Sequence, residues 1–161
     1  MKEIIISMLK ERGIEIKKIA QLVYELQKPY IDVTLEDAII NVEKVLEKRE
    51  VQNTVLTGLQ IDILAEKGLI KEPLLSIIRR DDSLYGIDEI LALSITNVYG
   101  SIGFTNFGYL DKVKPGIIGE IDKAGKTTEK VHTFADDIVS GIAAAACARI
   151  AHANEKKQKS K

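Results

Sequence analysis

The chain has 161 residues, 45% of them hydrophobic and 29% charged, which suits one soluble globular domain with a sizeable core and leaves little room for a second. Its 23 Lys and Arg against 24 Asp and Glu give a net charge of -1, so no overall field recruits nucleic acid or an anionic membrane, and any phosphate recognition must be local. A single cysteine, Cys147, excludes an internal disulfide and a multi-cysteine zinc site.

The opening "MKEIIISMLKERG" is too short and too charged for a secretory signal, which predicts a cytoplasmic protein. Apolar residues then recur at helical spacing, as in Ile16, Ile19, Ala20, Val23 and Leu26, and in Leu35, Ala38, Ile39, Val42, Val45 and Leu46. Gly13 and Gly68 stand where C-terminal caps are expected, Thr34 with Asp37 reads as a capping box, and Pro29 and Pro73 mark further boundaries. The pattern predicts helices near residues 2–12, 15–27, 34–49, 51–67, 73–80, 86–99 and 133–153.

Residues 90–110 carry no formal charge over about the length of a bilayer crossing, but six Ser, Thr and Asn side chains and three glycines argue for buried core broken into short pieces. The charge-rich "EIDKAGKTTEKVH", residues 120–132, predicts an exposed loop. The reading is thus an all-α, single-domain helical bundle over 1–153, followed by a flexible lysine-rich tail over 154–161 that solubilises the chain or brushes anionic lipid. Ala143 to Ala146 and the aliphatic faces of the first helices predict a homo-oligomer.

Four clusters could carry chemistry. In "EKREVQNTVLTG", the alternating charges and amides around Arg49 and Asn53 fit a solvated helix face or an anion pocket. In "RDDSLYGIDEILAL", Asp88 and Glu89 open a helix, where the dipole favours acids. Asp111 and Lys114 precede Pro115 and Gly116 in the charged turn "FGYLDKVKPG". In "VHTFADDIVSG", Thr133 and Asp136 have capping-box spacing, whereas Asp137 shares a face with Gly141, Ala144 and Ala145 and wants a counter-charge. His132 and His152 read as a loop and a surface histidine.

Carboxylates from three segments, without a His or Cys cluster, form the oxygen-donor set of a hard divalent cation, magnesium or manganese, with substrate phosphate completing its shell. A nearby Lys and Arg would complement that phosphate. The sequence has no Gly-rich phosphate loop, nucleophile elbow or zinc spacing.

In their order, "YGIDEILALS", "GYLDKVKPGII" and "FADDIVSGIAAA" resemble the three motifs of the phosphatidylglycerophosphatase A family: an Asp-Glu helix, an Asp-x-x-Lys-Pro turn and an Asp-Asp-x-x-x-Gly helix. The first thirty-one residues resemble a soluble Gram-positive subgroup. The resemblance implies an all-α, magnesium-dependent phosphatase that removes the terminal phosphate of phosphatidylglycerophosphate in phospholipid metabolism, or acts on a related phosphorylated small molecule or lipid headgroup. It implies metal positions at Glu89, Asp111, Asp137 and Asp88, catalytic positions at Asp136, Asp137 and Asp111, and phosphate contact from Lys114, with Arg49 and Asn53 as further substrate-binding positions from the residue reading. Family members that act on the lipid are membrane-embedded and carry an early Gly-Thr-x-Gly-type motif, neither of which is found here. That leaves a changed substrate, or a non-catalytic metal- or phospholigand-binding regulator at the membrane surface, as open alternatives.

Overall fold

The computed structural model describes the backbone of residues 1–159 and the side chains of residues 1–155. In chain order its helices are α1 (Lys2–Glu11), α2 (Ile16–Gln27), α3 (Leu35–Leu46), α4 (Arg49–Glu66), α5 (Leu74–Arg80), α6 (Ile87–Asn97), α7 (Ser101–Val113), α8 (Ile117–Thr127) and α9 (Ala135–Lys159). Among the described residues there is no strand, and the chain is a single-domain all-α bundle.

The bundle is organised around α9, which packs against α2, α3, α4, α6, α7 and α8. Residues 131–148 are all buried, and a helix that is apolar on every side belongs inside a bundle. Small side chains keep this axis thin. At Gly141 an added Cβ would lie 3.0 Å from the Ala92 carbonyl oxygen of α6, backbone that cannot step aside alone. Gly141→Ala should therefore lower stability by about 1–3 kcal/mol through overpacking, read by chemical denaturation. The alanine run that suggested an oligomer is thus covered by the chain's own helices.

The N-terminus of α9 is capped from outside its own sequence. Thr133 does not form the expected box with Asp136; its hydroxyl donates to the Ile78 carbonyl at 2.6 Å. Instead the fully buried Asp62 of α4 accepts from the Phe134 N–H at 3.2 Å and the Ala135 N–H at 3.0 Å. One turn on, Glu66 accepts from the Val131 N–H at 2.8 Å and pairs at 2.7 Å with Arg12, which also donates to the Val131 carbonyl. His132 does lie in the loop between α8 and α9, but buried beside Arg12, and burial followed by the Arg12 charge lowers its pKa to about 4. By contrast, the Thr34–Asp37 capping box forms as expected.

Two further expectations change. Residues 120–127 are the outer turns of α8 rather than a loop, because Ile117, Ile118 and Ile121 anchor one face and the charges take the other. Residues 90–110 are only half buried: Ala92, Ile95, Phe107 and Leu110 point inward, while Ile90, Val98, Phe104 and Tyr109 are exposed on α6 and α7. The backbone of α9 continues past Asn154 to Lys159, and residues 160 and 161 of the expected tail lie outside the described residues. No helix among the described residues is long and apolar enough to cross a membrane.

Candidate functional site

The starts of α6 and α9 and the end of α7 meet at one cavity of about 480 Å³. It is lined by Asp88 and Glu89, by Asp111 and Lys114, and by Asp136 and Asp137, so six of the eight residues singled out in the sequence share one space. Arg49 and Asn53 do not. Thr54, beside them on α4, meets Ser94 at 2.7 Å near the far end of α6, and α4 runs antiparallel to that helix. Thirteen residues separate Arg49 from Asp62 at the cavity end, about 20 Å of helix, and both Arg49 and Asn53 face solvent.

Each acid reaches the cavity for a local reason. Asp88 occupies the first turn of α6, where its Oδ1 accepts from the Glu89 N–H at 3.0 Å. Asp111 lies in the last turn of α7, and the chain then reverses through Lys114, whose left-handed φ of 46° precedes Pro115. That reversal aims the Lys114 ammonium between two carboxylates, 2.7 Å from Asp136 and 3.2 Å from Asp111. Asp136 and Asp137 occupy the first turn of α9 held by Asp62.

Charge does not balance in this space. Burial, and for Asp137 the neighbouring Asp136 and Asp111 charges, raise the pKa of Asp136 to about 6 and of Asp137 to about 9. Burial and the Asp111 charge also raise Asp88 and Glu89. Lys114 is held above its ordinary value, since the Asp136 charge, then Asp137 and the bond to Asp111, outweigh burial. Seven acids, Asp81, Asp82, Asp88, Glu89, Asp111, Asp136 and Asp137, against three lysines, Lys112, Lys114 and Lys126, leave an excess of negative charge, and repulsion plus desolvation is what raises carboxylate pKa values.

A second signal marks the same place. Asp81, Leu84 and Lys114, with φ of 52°, 65° and 46°, are the non-glycine residues with positive φ among those described, and all three line this cavity. Such conformations are costly for residues with a Cβ and concentrate where a site needs a particular shape.

Among the described residues, no three His, Cys, Asp or Glu side chains are drawn together tightly enough to hold a metal ion as they stand. The lysine between Asp111 and Asp136 accounts for part of that spacing. The donor chemistry nonetheless fits a hard cation: Asp88, Glu89, Asp111 and Asp137 offer only oxygen, and a divalent ion would relieve the excess of negative charge left after Lys114 pairs with Asp111 and Asp136.

The family model described as phosphatidylglycerophosphatase A matches residues 5–152, which include all three acidic segments. The chain belongs to the phosphatidylglycerophosphatase A family. Among its relatives is the uncharacterized protein YutG of Bacillus subtilis (strain 168), 54% identical over 145 residues, covering 89% of this chain and 86% of that one. The crystal structure of YpjQ from Bacillus subtilis is 53% identical, superposes with a TM-score of 0.91 and covers 97% of this chain and 96% of its own. That of the low temperature requirement C protein from Listeria monocytogenes is 56% identical, with a TM-score of 0.87 and 96% coverage of each chain.

In this phosphatidylglycerophosphatase A family member, several cavity residues escaped the sequence reading. Asp81 and Leu84 stand in the quoted stretch "RDDSLYG", yet their left-handed backbone has no glycine or asparagine to announce it. Lys126 lines the cavity from α8, the segment taken for a loop. Asp62 acts across 72 residues of sequence, a distance at which spacing rules carry no information.

Proposed function

We propose that this chain is a magnesium-dependent phosphomonoester hydrolase acting on phosphatidylglycerophosphate or a related phosphorylated headgroup, meeting lipid at the bilayer surface. The observation that carries the reading is the convergence of the three motif segments on one acidic cavity holding a lysine. Glu89, Asp111, Asp137 and Asp88 would hold the ion. When bound, magnesium supplies neutralisation of the phosphomonoester charge.

The chain's own groups do the rest. Lys114 keeps Asp136 oriented and puts a fixed positive charge beside the transferring phosphoryl group. Asp136, whose pKa burial raises to about 6 in the metal-free cavity, accepts a proton from the attacking water as the new P–O bond forms, and returns it to the alcohol oxygen as the ester P–O bond breaks. Attack on phosphorus by an aspartate oxygen is the other route the same residues permit, and trapping a phosphorylated protein distinguishes the two.

The test is phosphate release from p-nitrophenyl phosphate, glycerol 3-phosphate and phosphatidylglycerophosphate vesicles, with magnesium and with chelator. Release that needs magnesium supports the hydrolase, and the preferred substrate identifies the headgroup. A magnesium-dependent rise in Tm without turnover of any of the three would replace it with a binding-only regulator, since a ligand of the folded state raises stability whether or not chemistry follows.

A further inference from the structure

Three lysines line the cavity: Lys112, next to Asp111 on α7 and absent from the pocket beside it, and Lys114 and Lys126, which each hold a carboxylate in different circumstances. Lys114 is bound to Asp111 and Asp136, with 29% of its side chain exposed, and the Asp136 side chain is only 7% exposed. Pulling Lys114 away would strand a buried carboxylate, which is strongly unfavourable. Lys114 is therefore committed. Lys126, in the last turn of α8, is 58% exposed and pairs at 2.6 Å with Asp122, one turn earlier on the same helix. Asp122 is half-buried, with 18% of its side chain exposed against 7% for Asp136, and the lysine end of the pair lies open to solvent, so exchanging Asp122 for another anion costs less than pulling Lys114 from Asp136.

Placement makes the exchange useful. Lys126 lines both the main cavity and a small pocket beside it, and both spaces are bounded by Asp81, Thr133 and Asp136. It thus stands on the Asp81–Asp136 side, whereas Asp88, Glu89 and Asp111 line only the main cavity. None of the three acidic motif segments contains it.

We propose that Lys126 is the substrate-binding cation of this cavity, leaving Asp122 to take a phosphate oxygen of the incoming phosphomonoester, with Asp122 as its resting partner. The proposal rests on the phosphomonoester reading and names the group in the chain that first recognises the phosphate. It assigns recognition to α8 and leaves Lys114 as a fixed charge. The long, flexible stem of a lysine suits such a hand-over, and an arginine has the reach to replace it.

Lys126→Ala, Lys126→Arg and Asp122→Asn test it, with three measurements on the full chain: manganese affinity, inorganic phosphate affinity at saturating magnesium, and kcat against KM for p-nitrophenyl phosphate. Lys126→Ala should weaken phosphate binding and raise KM about tenfold, the effect of one lost charge-assisted bond, while manganese affinity and Tm stay as in the wild type. Lys126→Arg should restore most of the affinity. Asp122→Asn should tighten phosphate binding by freeing the lysine. Unchanged phosphate affinity in Lys126→Ala, beside a wild type that binds phosphate, would overturn this assignment alone. A wild type that binds no phosphate at saturating magnesium and releases none would overturn it together with the hydrolase reading.

Discussion

Asp137→Asn should raise the Tm of the metal-free protein by about 3–6 °C and abolish its response to magnesium. The wild-type carboxyl is buried beside Asp136 and Asp111, and its raised pKa of about 9 measures how poorly the fold tolerates its charge. An amide of the same shape removes that repulsion, and relief of a strained site commonly yields about 1–2 kcal/mol, equivalent to that change in Tm for a chain of this size. On the proposed function the same change would delete a charged metal ligand, so magnesium-stimulated phosphate release should fall at least about a hundredfold. Acid mimics the substitution. A group with a raised folded pKa is tolerated fully below its unfolded value and loses stability as pH rises through the folded one, so metal-free wild type should lose stability between about pH 4 and 9. His132, lowered to about 4, works the other way and withdraws stability as pH falls below 6.5. Thermal melts of wild type and Asp137→Asn across that range, with and without magnesium, decide the matter. A lower metal-free Tm in the variant would show that the carboxylate stabilises the fold, against the charge argument made for this site.

Asp62→Ala should cost about 2–4 kcal/mol of stability. It removes the acceptor of the Phe134 and Ala135 N–H groups where no solvent reaches to replace it. Asp62→Asn keeps one acceptor and should cost roughly half as much. Because the pair Asp136 and Asp137 begins within two residues of the cap, magnesium affinity should fall alongside stability. Denaturation midpoints and manganese affinity in both variants test this, and an Asp62→Ala protein as stable as wild type would end the capping assignment.

The local part of this fold was legible in the sequence. Helical spacing from Ile16 to Leu46 produced α2 and α3, and the Thr34–Asp37 box marks where the second of them starts. What failed was whatever depends on distant residues. The charged outer face of α8 reads as a loop when the window opens at Glu120, because the buried isoleucines that anchor it lie at or just before that edge. Thr133 and Asp136 have the spacing of a cap, but Ile78 and Lys114 compete for their side chains and Asp62 takes over the work. Arg49 and Asn53 carry suitable chemistry at the wrong end of α4, and composition holds no measure of that separation. The acids of the cavity were found because their three segments each carry a recognisable pattern, not because their proximity could be inferred.

Pinning the first turn of α9 divides the walls of the cavity by what it takes to move them. On one side, Asp136 and Asp137 are built into the central axle of the bundle, so displacing them means undoing contacts with most of the other helices. On the other, the connection through Asp81 and Leu84, with Leu84 fully exposed, and the end of α8 rest on far fewer contacts. Free energies of local opening follow such differences in burial. On the proposed function, a ligand would meet one wall that holds its shape and one that yields more easily.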